Sequence, residues 1–88
     1  MSFQLFYTQQ SRKDLAGFDK KQVIQILNKL EFFINQRSPL KYAKPLTGPL
    51  KGLFRFRIGD FRAIFHKNTN NKITILTILT IKQRKDLY

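Results

Sequence analysis

The amino-acid sequence predicts an α+β fold in which two N-terminal helices pack on one face of a twisted antiparallel sheet, in the order β-α-α-β-β-β. Three observations support this prediction. Two amphipathic segments lie between residues 8 and 34, apolar and polar residues alternate on both sides of Gly59-Asp60, and a β-rich segment follows at 72–81. Because the chain has 88 residues, 42% of them hydrophobic, we expect one domain spanning residues 1–88.

The first strand and the two helices carry their own start and stop signals. Apolar residues alternate over residues 3–7, which predicts a strand. Thr8 or Ser11 can cap a short helix that ends with Gly17 at a C′ position. Residues 19–22, Asp-Lys-Lys-Gln, form a capping-box pattern that predicts the start of a second helix of roughly four turns. Its apolar residues recur at spacings of three and four: Val23, Ile26, Leu27, Leu30, Phe33 and Ile34. Ile24 and Phe32 widen this apolar stripe, which indicates either deep burial or an apolar edge for a partner.

The segment that follows the second helix predicts a long loop and then a β-hairpin. Residues 38–52 contain three prolines and two glycines, which is typical of a loop. Gly59 and Asp60 suit a two-residue type II′ turn, which would pair Arg57 with Arg62. The same register puts three arginines on one face and six apolar residues on the other: Arg55, Arg57 and Arg62 against Phe54, Phe56, Ile58, Phe61, Ala63 and Phe65. Since opposed like charges destabilise a sheet, we expect an anion to bind this arginine face.

The last strand is expected to continue the antiparallel meander. Residues 67–71 read as a polar turn, which places His66 at a strand end, and residues 72–81 read as a strand that is apolar on both faces. If Lys72 pairs with His66, an apolar patch should lie on the arginine face and be covered by a partner or a second copy of the chain: Ile64, Leu76 and Ile78.

Charge is the strongest compositional signal. The 17 Lys and Arg against 5 Asp and Glu give a net charge of +12, which implies a polyanionic partner. Residues 1–40 carry six basic and three acidic side chains, whereas residues 41–88 carry eleven and two, so most of the excess lies with the hairpin. There is no cysteine, and no signal peptide or membrane span is evident, so we expect a cytoplasmic protein without disulfides or a metal site.

Two motifs resemble the RelE/ParE superfamily of toxins from type II toxin-antitoxin systems. They are the run from Lys44 through Leu-Lys-Gly at 50–52 to Gly-Asp-Phe-Arg at 59–62, and the ending Arg-Lys-Asp-Leu-Tyr at 84–88. The resemblance covers nearly the whole chain. It implies the RelE-like fold, a cognate antitoxin as partner, and operator DNA bound through the antitoxin complex. It also implies one of three functions. RelE-like members cleave mRNA on the ribosome, ParE-like members poison DNA gyrase without cleaving RNA, and a degenerate member would only bind antitoxin and operator DNA.

The resemblance also implies roles for individual residues. In the RelE-type reading, the 2′-hydroxyl attacks the adjacent phosphate without a metal or other cofactor, and the arginines hold the phosphate because a guanidinium binds it bidentately. The candidate catalytic residues are Arg55, Arg57, Arg62, Arg84 and Tyr88, and the candidate RNA-binding residues are Lys51, Lys82, Lys85 and His66.

Proton transfer is left open by the sequence. Arginine is not a general base at neutral pH. Gln83 stands where many relatives carry a histidine, and an amide cannot shuttle protons. Tyr88 is then the candidate acid or orienting group, and four residues are candidates for the base: Lys51, Lys82, Lys85 and His66.

Overall fold

Two helices and five strands make up the fold in the computed structural model, which describes residues 2–84. The elements follow one another as β1 (Ser2–Tyr7), α1 (Gln9–Ala16), α2 (Lys20–Ile34), β2 (Ala43–Pro45), β3 (Phe54–Ile58), β4 (Phe61–Asn70) and β5 (Ile73–Gln83). Two short 3-10 helices, Pro39–Tyr42 and Gly48–Leu50, flank β2. The predicted α+β class and the pair of N-terminal helices are therefore confirmed. The predicted loop at 38–52 is more structured than expected, because it contains β2 and both 3-10 helices.

The five strands form one sheet in the order β1-β5-β4-β3-β2. Strands β2 to β5 pair antiparallel, but β1 lies parallel to β5 at the edge of the sheet. A parallel neighbour needs a crossover connection, and the two helices provide it between β1 and the rest of the chain. The sheet is thus mostly rather than wholly antiparallel.

Both helices begin where the sequence signals place them. The Thr8 side chain accepts the Ser11 N–H at the start of α1, and Asp19 and Gln22 form a complete capping box at the start of α2. Gly17 ends α1, but its φ of −86° is right-handed, so it acts as the cap residue and not as a left-handed C′ glycine.

One face of the sheet and α2 enclose an aromatic core. Phe56 is fully buried and stacks on Phe33 of α2 at 4.6 Å and on Phe65 of β4 at 4.5 Å between ring centroids. The core also contains residues from α2, β3, β4 and β5: Ile26, Leu30, Ile58, Phe61, Ala63, Leu76, Ile78 and Ile81. By contrast, Ile24 and Phe32 are 49% and 46% exposed, so the widened stripe of α2 is an apolar edge and not a deeply buried face.

The β4–β5 pairing corrects the prediction for this part of the chain. Strand β4 runs on to Asn70, and only Asn71 and Lys72 form the turn, so His66 pairs with Thr77 and not with Lys72. A bulge opposite Ile64 and the next residue then shifts the register again. The pairing of His66 with Thr77 puts Leu76 and Ile78 on the core face, where both are fully buried, so the prediction of an apolar patch on the arginine face is wrong.

Helix α1 covers the edge of β5 beyond the end of β1. The Asp14 carboxylate accepts the Thr80 hydroxyl at 2.6 Å and the Ile81 backbone N–H at 2.9 Å. Partial burial raises the pKa of Asp14, but these hydrogen bonds, one from Gln10 and the nearby charge of Lys82 outweigh it and hold the pKa below its usual value. The backbone N–H of Ile81 at this edge of the sheet is thereby hydrogen-bonded by a side chain instead of by a neighbouring strand. Within residues 2–84, neither helix is long and apolar enough to cross a membrane.

Candidate functional site

The face of the sheet turned away from α2, termed the open face, carries a row of cations across three strands. The register sets Arg57 of β3 opposite Arg62 of β4, and Arg62 opposite Lys82 of β5. We call these three residues the cationic row. Because adjacent strands lie about 4.8 Å apart, the backbones of these three residues span about 10 Å across the sheet.

The predicted register of the β3–β4 hairpin is confirmed. Arg57 pairs with Arg62 and Arg55 pairs with Ile64, as a two-residue turn requires. Gly59 has a φ of +57°, whereas Asp60 keeps a negative φ, which is the pattern of a type II′ turn. Arg55, Arg57 and Arg62 therefore share the open face.

A second cationic pair extends the row toward the edge of the sheet. Lys44 of β2 lies opposite Arg55 of β3. Arg55 is the diagonal neighbour of both Arg62 and His66, which flank its partner Ile64 along β4, and such diagonal neighbours lie about 7–8 Å apart. Among the strand positions of the open face that the structure describes, none carries an acidic residue. The arrangement is suited to hold a polyanion.

His66 lies within β4, whereas the sequence predicted a position at a strand end. It is partly buried, shares the open face with Arg62, and pairs with Thr77 of β5. It lies four positions along β4 from Arg62, which is about 13 Å along a strand. Histidine is the side chain that most often exchanges protons near neutral pH, so His66 is the described residue of this face best suited to that task.

Arg84 is brought to the hairpin turn. Its backbone N–H donates to the Asp60 carbonyl at 2.6 Å, which places the end of the described chain beside the cationic row. Lys51, by contrast, lies in the loop that precedes β3, at the end of that strand farthest from Gly59. The structure therefore brings Arg84, but not Lys51, to the row. Lys85 and Tyr88 lie outside the described residues.

Gln83 lies on the opposite side of the sheet from the arginines. It pairs with Phe61, whose side chain is buried in the core, whereas Lys82 beside it pairs with Arg62. Since successive residues of a strand point to opposite faces, Gln83 is not part of the cationic row.

Sequence reasoning missed Lys44 as a member of the open face. Three residues, Ala-Lys-Pro, form β2, and so short a run between prolines carries no alternating pattern. Proline is tolerated there because β2 is an edge strand. The only available signal was the basic character of the loop, which holds Lys41, Lys44 and Lys51.

The side chains of the open face determine what the site can do. Guanidinium and ammonium groups donate to phosphate oxygens and stabilise negative charge that develops on them. Within residues 2–84, no group of three or more His, Cys, Asp or Glu side chains could hold a metal ion. The cations of the open face are suited to phosphate binding, and His66 lies diagonal to Arg55 on the same face.

Residues 5–88 match the family described as ParE toxin of type II toxin-antitoxin system, parDE. The chain is also 27% identical over 88 residues to Toxin RelG of Mycobacterium tuberculosis (strain H37Rv), an alignment that covers 100% of this chain and 98% of the relative.

Solved structures of similar proteins share the fold. The toxin-antitoxin complex RelBE2 from Mycobacterium tuberculosis contains a chain that superposes with a TM-score of 0.74 at 22% identity, covering 96% of this chain and 100% of that one. The YoeB/ParE toxin from Agrobacterium tumefaciens gives a TM-score of 0.68 at 20% identity, covering 94% and 98%. The archaeal RelE-RelB complex from Pyrococcus horikoshii gives 0.64 at 25% identity, covering 96% and 97%.

Proposed function

Because this chain belongs to the RelE/ParE superfamily of type II toxins, we propose that it is a RelE-type endoribonuclease that cleaves mRNA on the ribosome in the cytoplasm. The observation that carries this proposal is the cationic row, Arg57, Arg62 and Lys82, opposed across three strands. Like charges directly opposite each other destabilise a sheet, so their retention fits a face that binds a polyanion during function.

In the proposed reaction the 2′-hydroxyl attacks the adjacent phosphate, and the bond to the 5′-oxygen of the next nucleotide breaks. Arg57 and Arg62 hold the phosphate and the negative charge that develops on its oxygens, because a guanidinium fork matches two phosphate oxygens. Arg55 places a third charge diagonally beside Arg62. Arg84, whose backbone N–H donates to the Asp60 carbonyl at the hairpin turn, would contact the RNA where it leaves the row.

The proton of the 2′-hydroxyl needs an acceptor, and we assign this role to His66 among the described residues of the open face. Arg55 is diagonal to both Arg62 and His66, so a scissile phosphate bound over Arg55 would lie between the guanidinium of Arg62 and the imidazole of His66. The ribosome would supply the alignment of the mRNA, since orientation alone accounts for many powers of ten in rate. Tyr88 remains the candidate for protonating the leaving oxygen, and Lys85 remains a candidate for binding the RNA.

A cognate antitoxin is proposed as the physiological partner. The relatives from Mycobacterium tuberculosis and Pyrococcus horikoshii were solved as toxin-antitoxin and RelE-RelB complexes. A net charge of +12 favours an acidic antitoxin segment. On this basis the complex should also reach operator DNA through the antitoxin, and its affinity should fall with salt as the charged contacts are screened.

A gyrase poison is the second candidate. It is favoured by the distance of about 13 Å along β4 between His66 and Arg62. A general base must lie within hydrogen-bond reach of the 2′-hydroxyl, and a phosphate held at the row would be far from His66. In that case the cationic face would bind DNA or an acidic surface of gyrase, and no RNA would be cut.

Mapping of mRNA 5′ ends in a cell-free translation system separates the two candidates. We expect the wild-type chain to produce cuts at codons in the ribosomal A site. Arg62→Ala should remove them, and Arg62→Lys should restore them only in part because an ammonium lacks the fork. Lys21→Ala, which removes a positive charge from the exposed start of α2, is the matched control and should cleave normally. Intact mRNA together with cleaved supercoiled DNA in the presence of gyrase would overturn the nuclease proposal.

A further inference from the structure

We propose that a second nucleotide-binding subsite lies beside Tyr42, where it takes one nucleotide of the same single-stranded RNA whose scissile phosphate rests on the cationic row. Its identification as an RNA site rests on the proposed function. The residues that form it belong to the end of α2 and the 3-10 helix before β2, and none of them belongs to the cationic row.

A small cavity at the C-terminal end of α2 has the chemistry of a nucleotide site. Its volume is about 200 Å³, and its lining offers a guanidinium, an ammonium, a hydroxyl, an amide and one aromatic ring: Arg37, Lys41, Ser38, Gln36 and Tyr42. No lining residue is acidic. Sites that enclose whole small molecules measure about 300–1,000 Å³, so this cavity suits one unit of a longer chain.

The aromatic side chains beside the cavity are fixed on one side and open on the other. The Tyr42 ring lies 5.3 Å from Phe33, which in turn stacks on the buried Phe56. Even so, Tyr42 and its neighbour Phe32 are each 46% exposed. An exposed ring held by the core provides a rigid surface on which a base can stack without sequence preference.

Positive charges surround these rings. The Lys29 ammonium lies 4.9 Å from the centre of the Phe32 ring and 5.6 Å from that of Phe33. Arg37 and Lys41 line the cavity together with Tyr42. Aromatic rings that alternate with cations are the usual means by which proteins hold single-stranded nucleic acid.

Strand β2 connects this subsite to the cationic row. Tyr42 is the last residue before β2, and Lys44 within β2 lies opposite Arg55 on the open face. Arg55 is in turn diagonal to Arg62. A strand of RNA could therefore leave the row over Arg55 and Lys44, pass round the three-residue edge strand, and reach Lys41 and Tyr42 without leaving positively charged surface.

An acidic amphipathic protein segment is the competing occupant, but the cavity disfavours it. Four of its five lining residues are polar or charged. The Gln36 amide already donates to the Phe32 carbonyl. The apolar side of an amphipathic helix would nevertheless leave Arg37, Ser38 and Lys41 without water, which is unfavourable. A base stacked on Tyr42 with its phosphate near Arg37 and Lys41 would satisfy them.

The chain contains no tryptophan, so Tyr42→Trp creates a single fluorescent reporter at the subsite. We expect its fluorescence to be quenched on titration with oligouridine at low salt. Quenching should persist in an Arg57→Ala/Arg62→Ala background, because the subsite does not depend on the row. No quenching by RNA, or equal or stronger quenching by an acidic amphipathic peptide, would overturn the proposal.

Substitutions that keep the fold test the same subsite through RNA binding and mRNA cleavage. Because Tyr42 packs on Phe33, Tyr42→Phe keeps both packing and stacking and should bind RNA like the wild type. Arg37→Glu alters only an exposed residue. It should weaken RNA binding, and raise the toxin concentration needed for half-maximal mRNA cleavage, by roughly tenfold to a hundredfold, as for loss of a hydrogen bond to a charged group. Lys21→Glu makes the same change of two charges at the exposed start of α2 and is the matched control.

The outcomes separate this proposal from the proposed function. If the wild type cleaves mRNA but Arg37→Glu binds RNA and cleaves it as the wild type does, the subsite is overturned and the nuclease proposal stands. If the wild type cleaves nothing, while the fluorescence of the Tyr42→Trp variant still reports RNA binding that Arg37→Glu abolishes, the nuclease proposal fails and the subsite stands.

Discussion

The two faces of the sheet are built from alternate residues of the same strands, yet they have opposite properties. On β3, Phe56 is fully buried between two aromatic rings, whereas Arg57 beside it is exposed and opposes another arginine. One face lowers the free energy of the fold by burying apolar surface, and the other concentrates charge at the expense of stability. Stability and function should therefore respond to different substitutions in this protein, one residue apart.

The largest effect on stability should come from the core face. Phe56→Ala leaves a cavity between Phe33 and Phe65 and should lower the free energy of unfolding by about 3–5 kcal/mol, a large share of the total for a small domain. Phe6→Ala is the control on the open face, since Phe6 is 56% exposed; it should change stability by less than about 1 kcal/mol. Urea unfolding of the two variants checks this, and similar losses in both would break the contrast between the faces.

Asp14 tests whether a carboxylate near Lys82 serves stability. Asp14→Asn weakens the hydrogen bonds from Thr80 and the Ile81 N–H and should lower the free energy of unfolding by about 1–3 kcal/mol at pH 7. Asp19→Asn is the control, because asparagine caps a helix as well as aspartate does.

The effect of Asp14 should also depend on pH. Partial burial raises its pKa, but hydrogen bonds from Thr80, Ile81 and Gln10 and the charge of Lys82 bring the net pKa below the usual value. The carboxylate therefore contributes fully above the ordinary pKa of an aspartate, about 3.9, and its contribution is lost as pH falls through the lowered folded pKa. The difference between wild type and Asp14→Asn should be constant from pH 7 to pH 5 and shrink below pH 4. A difference that grew on acidification would contradict this account.

A smaller effect is expected at the turn that aligns the arginines. Gly59 has a φ of +57°, and an added Cβ would lie 3.1 Å from the Gln25 amide nitrogen. Gly59→Ala should therefore lower the free energy of unfolding by about 1–2 kcal/mol. Gly17→Ala is the matched control, since φ there is −86° and the added Cβ would meet only ordinary contacts. Thermal unfolding of both variants measures the difference in the free energy of unfolding. Equal losses in the two variants would show that a side chain at position 59 does not strain the turn.

The two hairpins show how much of the fold the sequence could predict. The β3–β4 hairpin was predicted residue by residue because Gly59 marks its turn and its alternation is strict. The β4–β5 hairpin was not, because Asn71 supplies the positive φ within a run of five polar residues, 67–71. The bulge near Ile64 then reverses the faces of later residues, and periodicity alone does not reveal it.

The candidate site was predictable to the same extent. The three arginines share a face because they lie on the hairpin whose register was readable. Lys44 and the surface beside Tyr42 were not found, because they depend on a three-residue edge strand and on the docking of α2 against the sheet. Such contacts between distant segments leave no local pattern in the sequence. The pairing of Lys82 with Arg62 likewise emerges only once the bulge is known.

Arg57→Ala tests the separation of the two faces most directly, when the free energy of unfolding and mRNA cleavage are measured on the same preparation. Because Arg57 is exposed and opposes Arg62, stability should stay within about 0.5 kcal/mol of the wild type. Cleavage should fall by about 100-fold or more, as for loss of a group that stabilises a transition-state charge. Unchanged cleavage, or a loss of cleavage that only parallels a loss of stability, would contradict the account.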